Sequence, residues 1–203
     1  VSGEELKNAV FEIVRDIRYD GVIIQLPLPK HIDADTLLNL IPPEKDPDAL
    51  SANPLVLPPV AGAVKEILAR QGISVKGRRA VVIGRGRLVG KPVAEWLKAE
   101  GAEVMSVGRE SGSGISALLS EAEIVVSGAG VPHLIKPQMV REGAALIDAG
   151  TSESHGKMVG DIDLSCAHKS ALFTPVPGGV GPVTVAKLFE NFVALTERQN
   201  MRK

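Results

Sequence analysis

Apolar residues recur at helical spacing near the start of the chain. Leu6, Val10, Ile13, Val14 and Ile17 fall on one face and predict an amphipathic helix over residues 4–18. Ser2, followed by Glu4 and Glu5, suits its N-cap and acidic first turn. A β-branched run then predicts a strand over 21–25, and a Pro-rich turn leads to a helix over 33–40. A loop rich in Pro, Asp and Asn runs from 42 to 61. Beyond it, helical and continuous apolar stretches alternate: helix 62–71, strand 79–83, helix 89–99, strand 103–107, helix 114–120, strand 123–127, a short helix near 136–141 and strand 144–148. A polar loop leads to a last helix over 184–197, with Val185, Leu188, Phe189, Phe192 and Val193 on its apolar face. Alternation from 79 to 148 predicts an α/β protein with a doubly wound parallel sheet. Residues 58–175 would form that body, and 1–57 with 176–203 the remainder of a smaller α/β body, with crossings near Pro58-Pro59 and Pro175–Pro177.

Composition narrows the partners. The net charge is -1, which offers no bulk attraction for nucleic acid or for an anionic membrane. No apolar run approaches the roughly 20 residues that span a bilayer. A single cysteine, Cys166, excludes an internal disulfide and fits a reducing, cytoplasmic setting. The four histidines show no metal-ligand spacing, no Ser/His/Asp arrangement is apparent, and Gly160-Asp161-Ile162-Asp163 lacks the remaining pattern of a cation loop.

The apolar strand Ala80-Val81-Val82-Ile83 is followed by Gly84-Arg85-Gly86-Arg87-Leu88-Val89-Gly90. This G-x-G-x-x-x-G spacing is one residue longer than the commonest dinucleotide fingerprint, but the physics is the same. Gly84 permits the tight turn, Gly86 lets a phosphate reach the backbone, and Gly90 allows close packing of the next helix, whose N-terminus faces the pyrophosphate. The sheet is therefore expected to be Rossmann-like. An acid at the end of the second strand would mark NAD, yet that strand ends in Gly108-Arg109. Arg109, with Arg85 from the glycine loop, can pair with a 2′-phosphate, so NADP is expected; two solvated surface arginines are the plain alternative. Ser127-Gly128-Ala129-Gly130 and Asp148-Ala149-Gly150-Thr151 close later strand ends with small residues that leave room for the rest of a dinucleotide.

Two further segments bear on the substrate. Thr174-Pro175-Val176-Pro177-Gly178-Gly179-Val180-Gly181-Pro182-Val183-Thr184 holds three prolines and three glycines in eleven residues, predicting a stiff loop that feeds the last helix. Gln25 stands between an apolar strand and a Pro-flanked turn, and its amide suits a flat heterocycle or a lysine partner. Lys45-Asp46-Pro47-Asp48 sets two carboxylates on a rigid loop, equally readable as a solvated turn.

The string around Pro177 and the segment Asp20-Gly21-Val22-Ile23-Ile24-Gln25-Leu26-Pro27-Leu28-Pro29 resemble the two signatures of the bifunctional methylenetetrahydrofolate dehydrogenase/cyclohydrolase family. The resemblance covers nearly the whole chain. It implies Gln25 and Asp48 as catalytic and pterin-contacting residues, and Pro177 and Gly178 as the wall of the folate site. For NADP it implies Gly84, Arg85, Gly86, Val89, Gly90, Pro92 and Thr151; Arg109, from its place after the second strand, and Thr184 are expected at the cofactor as well. It also implies a homodimer and two reactions, hydride transfer from 5,10-methylenetetrahydrofolate to NADP⁺ and hydrolysis of the methenyl product to 10-formyltetrahydrofolate. The family's catalytic lysine and its tyrosine partner belong to a helix upstream of Val1, and no Tyr-x-x-x-Lys occurs here, so a fragment or truncated product is expected. Gly86 stands where a serine is common, Ala49 replaces a glycine, the loop after Asp48 is short, and Pro58-Pro59-Val60 replaces a Cys-Thr-Pro motif. A binding module without turnover, and a different two-domain NADP dehydrogenase of the shikimate dehydrogenase type, are the alternatives.

Overall fold

The computed structural model describes residues 2–108, 114–154 and 156–201. The chain divides into two units, Val1–Pro59 with Val185–Lys203, and Val60–Thr184.

The first unit opens with α1 (Gly3–Arg15), closed by a capping box. The Glu5 N–H donates to Ser2 Oγ at 3.1 Å, and the Ser2 N–H donates to Glu5 Oε2 at 2.7 Å. The helix stops three residues short of its predicted end. Arg18 turns back to Asp16 through its backbone N–H at 2.9 Å and through its guanidinium, a local alternative to further helical turns. Ile17 is left 91% exposed. The run 21–25 is extended, but among the described residues it belongs to no strand; Val22 N–H donates instead to the Lys45 carbonyl at 2.8 Å. Among the described residues the smaller body is thus built on helices and loops, with no strand of its own. Helix α2 (Ala34–Leu38) is capped by Asp33, which accepts from the N–H groups of Asp35 and Thr36. Val10, Val14, Ile32, Leu37 and Ile41 form this unit's core.

Helix α3 (Pro59–Arg70) begins three residues earlier than its apolar pattern indicates, because Pro59 is tolerated in the first turn where no N–H is needed. Then follow β1 (Arg79–Ile83), α4 (Gly90–Ala99), β2 (Glu103–Val107), α5 (Gly114–Leu119), β3 (Ile124–Ser127) and β4 (Ala145–Asp148). A hairpin of β5 (Ser152–Ser154) and β6 (Lys157–Val159) and the short β7 (Leu172–Phe173) complete the strands among the described residues; none of these three was expected from the sequence. The main sheet has order β2-β1-β3-β4-β7, and every pairing in it is parallel. β3 and β4 are buried at every position, which explains their unbroken apolar runs. The predicted helix near 136–141 is a single 3₁₀ turn, Pro137–Met139.

Helix α6 (Val180–Asn200) starts four residues before its predicted start. Gly181 and Pro182 lie in its first turn, where a missing N–H leaves no intrahelical bond unmade. Its far half belongs to the first unit. There Asn191 donates to the carbonyls of Pro47 and Leu57, both at 2.9 Å, and Gln199 donates to those of Asp20 and Glu44.

Candidate active site

In the second unit, β1 pairs with β2 on one side and with β3 on the other, so the chain reverses direction of winding at β1. Open parallel sheets bind ligands beyond the C-terminal strand ends at such a point. The glycine loop lies there. Gly84 has φ +96, and its N–H donates to the Val107 carbonyl at 2.9 Å. A Cβ on Gly84 would lie 2.5 Å from the Gly128 carbonyl oxygen, and one on Gly90 would lie 1.9 Å from the Gly84 carbonyl oxygen. Both positions therefore require glycine. A Cβ on Gly86 would meet nothing within 4 Å, so this backbone stands free for close approach. Val89 precedes α4, and its side chain fills the space over Gly128, where a Cβ would come within 2.4 Å of Val89 Cγ1. Arg85 is exposed and donates from Nη2 to the Ser106 carbonyl at 3.3 Å, placing its guanidinium at the end of β2. Arg109 lies outside the described residues.

Beneath the next two strand ends are two buried carboxylates. Asp161, 0% exposed, accepts from Ser127 Oγ at 2.7 Å and from the N–H groups of Ala129 at 2.7 Å, Gly130 at 3.3 Å and Val131 at 2.8 Å. Asp148, 1% exposed, accepts from the N–H groups of Gly150 at 3.0 Å, Asp161 at 3.2 Å and Ile162 at 2.7 Å. Its own N–H donates to Thr174 Oγ1 at 2.8 Å, at the start of the Gly/Pro stretch. Burial pushes the Asp148 carboxyl up to about 6, aided by the charge of Asp161 and opposed by the three N–H donors. Residues 160–163, which resemble half a cation loop in sequence, thus supply a structural carboxylate. Sequence reasoning missed this role, since a Gly-Asp pair after a hairpin carries no distinguishing signal.

A cavity of about 370 Å³ opens within the same unit, floored by Asp148 and Gly150 and walled by residues 175–182. Thr151, Pro177, Gly178 and Thr184 all line it, so four of the candidate residues meet at one place. Val60 and Met158 line it too and were not expected. The wall is held tightly. Gly178 has φ +100, the Gly179 N–H donates to the Pro175 carbonyl at 2.8 Å, and a Cβ on Gly179 would lie 2.5 Å from that oxygen. The Thr184 hydroxyl donates to the Val180 carbonyl at 2.9 Å, back onto its own helix.

Gln25 and Asp48 belong to the first unit. Gln25 is exposed, and its Nε2 donates to the Leu26 carbonyl at 2.9 Å. Asp48 is half-buried, and burial raises its carboxyl above the ordinary value, with the charge of Asp46 adding to the effect. Asp46 is 1% exposed and accepts from the Ser51 N–H at 2.7 Å, which pins the loop. The backbone between them turns through Ala49 at φ +56, a conformation that favours glycine.

Two family models match this chain. One describes the NAD(P)-binding domain of tetrahydrofolate dehydrogenase/cyclohydrolase and matches residues 58–200; the other describes its catalytic domain and matches residues 1–48. The chain belongs to the tetrahydrofolate dehydrogenase/cyclohydrolase family. Within that family it is 39% identical over 206 residues to the bifunctional protein FolD of Lactobacillus acidophilus, covering 97% of this chain and 72% of the relative. To FolD of Aquifex aeolicus it is 37% identical over 210 residues, covering 98% and 72%. A solved structure of the Trypanosoma brucei methylenetetrahydrofolate dehydrogenase-cyclohydrolase, complexed with NADP cofactor and inhibitor, superposes with a TM-score of 0.92 at 37% identity, over 98% of this chain and 74% of that one. The NAD-dependent Saccharomyces cerevisiae dehydrogenase shares the fold, with a TM-score of 0.77 at 19% identity over 98% of this chain and 76% of that one.

Proposed function

We propose that this chain acts in tetrahydrofolate one-carbon chemistry as a bifunctional enzyme. It oxidises 5,10-methylenetetrahydrofolate to the 5,10-methenyl compound with NADP⁺, then hydrolyses that product to 10-formyltetrahydrofolate. The observation that carries this reading is family membership across both units, together with a glycine loop that stands at the winding reversal of a parallel sheet. NADP⁺, when bound, would supply the acceptor for a hydride and its two electrons from the methylene carbon; water then adds to the cationic methenyl carbon with loss of one proton, and the carbon–N5 bond breaks as the hydroxyl proton passes to N5, giving the 10-formyl product.

The chain's own residues fit this division of labour. Gly84 and Gly90 close the turn, and the open backbone at Gly86 admits phosphate oxygens to N–H donors. Arg85, held at the end of β2, stands where a ribose 2′-phosphate is recognised in such folds, and Arg109 is proposed as its partner. Val89 packs the loop, and Thr151 and Thr184 offer hydroxyls beside the cavity. Asp48 is proposed to orient the pterin and Gln25 to hold and tune a proton-transfer partner, with Pro177 and Gly178 as a wall for the folate. Residues 1–57 and 176–203 are accordingly proposed for folate and 58–175 for the dinucleotide; the family models divide the chain between 48 and 58, and residues from Val185 onward group with the first unit, although the NAD(P)-binding model runs on to 200. A homodimer is also proposed; β2 ends the sheet as an edge strand and exposes Met105, which is suited to self-pairing. No helix among the described residues is long and apolar enough to cross a membrane, and a cytoplasmic location and the absence of a nucleic-acid partner belong to the same proposal.

The test is turnover of this 203-residue chain with methylenetetrahydrofolate and NADP⁺, read by absorbance of the methenyl product and then its decay. Formation and decay are expected. A folded chain that binds neither ligand refutes the reading. A folded chain that binds both without turnover supports the second reading, a binding module. Arg109→Ala is expected to lower the ratio of NADP to NAD affinity, and an unchanged ratio removes that assignment.

A further inference from the structure

We propose that Asp161 is a positioning residue for the dinucleotide: its carboxylate sets the direction of the peptides after β3, and through them props the glycine loop in the shape that accepts the cofactor. This rests on the reading of the second unit as an NADP site and adds a residue to it.

The argument begins with the peptide planes. The N–H groups of Ala129, Gly130 and Val131 all point at one carboxylate. A trans peptide sets its carbonyl opposite its N–H, so the carbonyls of Gly128, Ala129 and Gly130 must point away from Asp161. The Gly128 carbonyl does so, and what it meets is Gly84: a Cβ there would lie 2.5 Å from this oxygen. The chain of contact therefore runs from Asp161 through the 128–129 peptide to the first glycine of the cofactor loop. Asp161 cannot drift either. Its carboxylate lies against Gly150, where a Cβ would fall 2.2 Å from Asp161 Cγ, and its backbone N–H donates to Asp148. A buried charge needs such satisfaction wherever it stands. Its use on a loop that faces the ligand edge, with three successive N–H groups gathered on one side, is what a purely apolar filling could not do.

The experiment compares wild type, Asp161→Asn and Leu119→Ala in the full chain. Leu119→Ala is a core truncation, chosen to lower stability at a side chain that makes none of the hydrogen bonds of this path. Each is measured by thermal denaturation, by NADPH titration and by the KM and kcat of the dehydrogenase step. An asparagine presents an NH₂ to one of the inward N–H groups, so the loop must re-form. The expected result is a 10- to 100-fold weaker NADPH affinity and a matching rise in KM for NADP⁺, with kcat at saturating cofactor within about threefold, as for other groups that orient ligands indirectly. Leu119→Ala is expected to melt earlier with its NADPH affinity within twofold. If Asp161→Asn does not fold, Ser127→Ala removes one donor to the same carboxylate and is expected to weaken NADPH at least twofold. Wild-type affinity in the variant that folds, or losses of affinity that merely follow melting temperature in all variants, overturns the proposal. Absence of NADPH binding by wild type overturns instead the reading on which it rests.

Discussion

Asp148 makes a sharp prediction about pH. Its carboxyl is pushed up to about 6 from an ordinary 3.8, chiefly by burial. A carboxyl whose pKa is higher in the folded state binds its proton more tightly there. Its contribution therefore favours folding fully below the unfolded value and is lost as pH rises through about 6. With those two values the contribution is about 2 kcal/mol larger at pH 4 than at pH 7. Other carboxylates shift the opposite way, among them Asp163, held low by Ser165 and Lys136, so the effect must be isolated by difference. Asp148→Asn cannot titrate. The stability of wild type minus that of Asp148→Asn should rise by about 2 kcal/mol from pH 7 to pH 4. Urea unfolding followed by fluorescence of Trp96, the single tryptophan, reports this unit directly because the residue is buried on α4. A difference that is flat with pH, or that falls toward acid, would show that the three N–H donors outweigh burial and refute the reasoning.

Three further outcomes are expected. Gly90→Ala places a Cβ 1.9 Å from the Gly84 carbonyl oxygen, and it should cost about 1–3 kcal/mol in unfolding and more than tenfold in NADPH affinity; wild-type affinity would show that the loop relaxes freely. Asp46→Asn removes the neighbouring charge that helps to raise Asp48, so an NMR titration should place the Asp48 carboxyl lower than in wild type. Ala49→Gly relieves a left-handed alanine at φ +56 but gives up a buried methyl and adds unfolded-state freedom. The relief of about 1–2 kcal/mol is set against about 0.8 kcal/mol for the methyl and about 0.5–1 kcal/mol for the added freedom, so thermal denaturation should find a net change below about 1 kcal/mol, and a larger one would refute the reasoning.

Much of the second unit was legible because its central strands, β1, β3 and β4, are buried on both faces. Ala80–Ile83 and Ile124–Val126 admit no polar residue, and the glycines after them are forced by contacts that any tight strand-to-helix turn would make. The first unit was less legible. The Val22–Gln25 run has strand composition, but strand formation needs a partner backbone, and a residue's own sequence does not name one. The hairpin β5–β6 has only three residues on each side, too short for an alternating pattern to declare itself. That Thr151, Pro177, Gly178 and Thr184 line one cavity could be anticipated from family resemblance, whereas the role of Asp161 could not. Its partners are backbone N–H groups some thirty positions away in the chain, and backbone atoms leave no trace in a sequence.

The glycines at 150 and 160 are each the imprint of a carboxylate, since a Cβ at 150 would strike Asp161 and one at 160 would strike Asp148 at 2.1 Å. Drift at these four positions is therefore constrained in its order. No side chain can enter at 150 until Asp161 has been shortened or withdrawn, yet shortening Asp161 first strands three N–H donors. The intermediate is impaired along either route, so the four residues should travel as a block through laboratory evolution, and any redesign of the cofactor edge has to begin by exchanging them together.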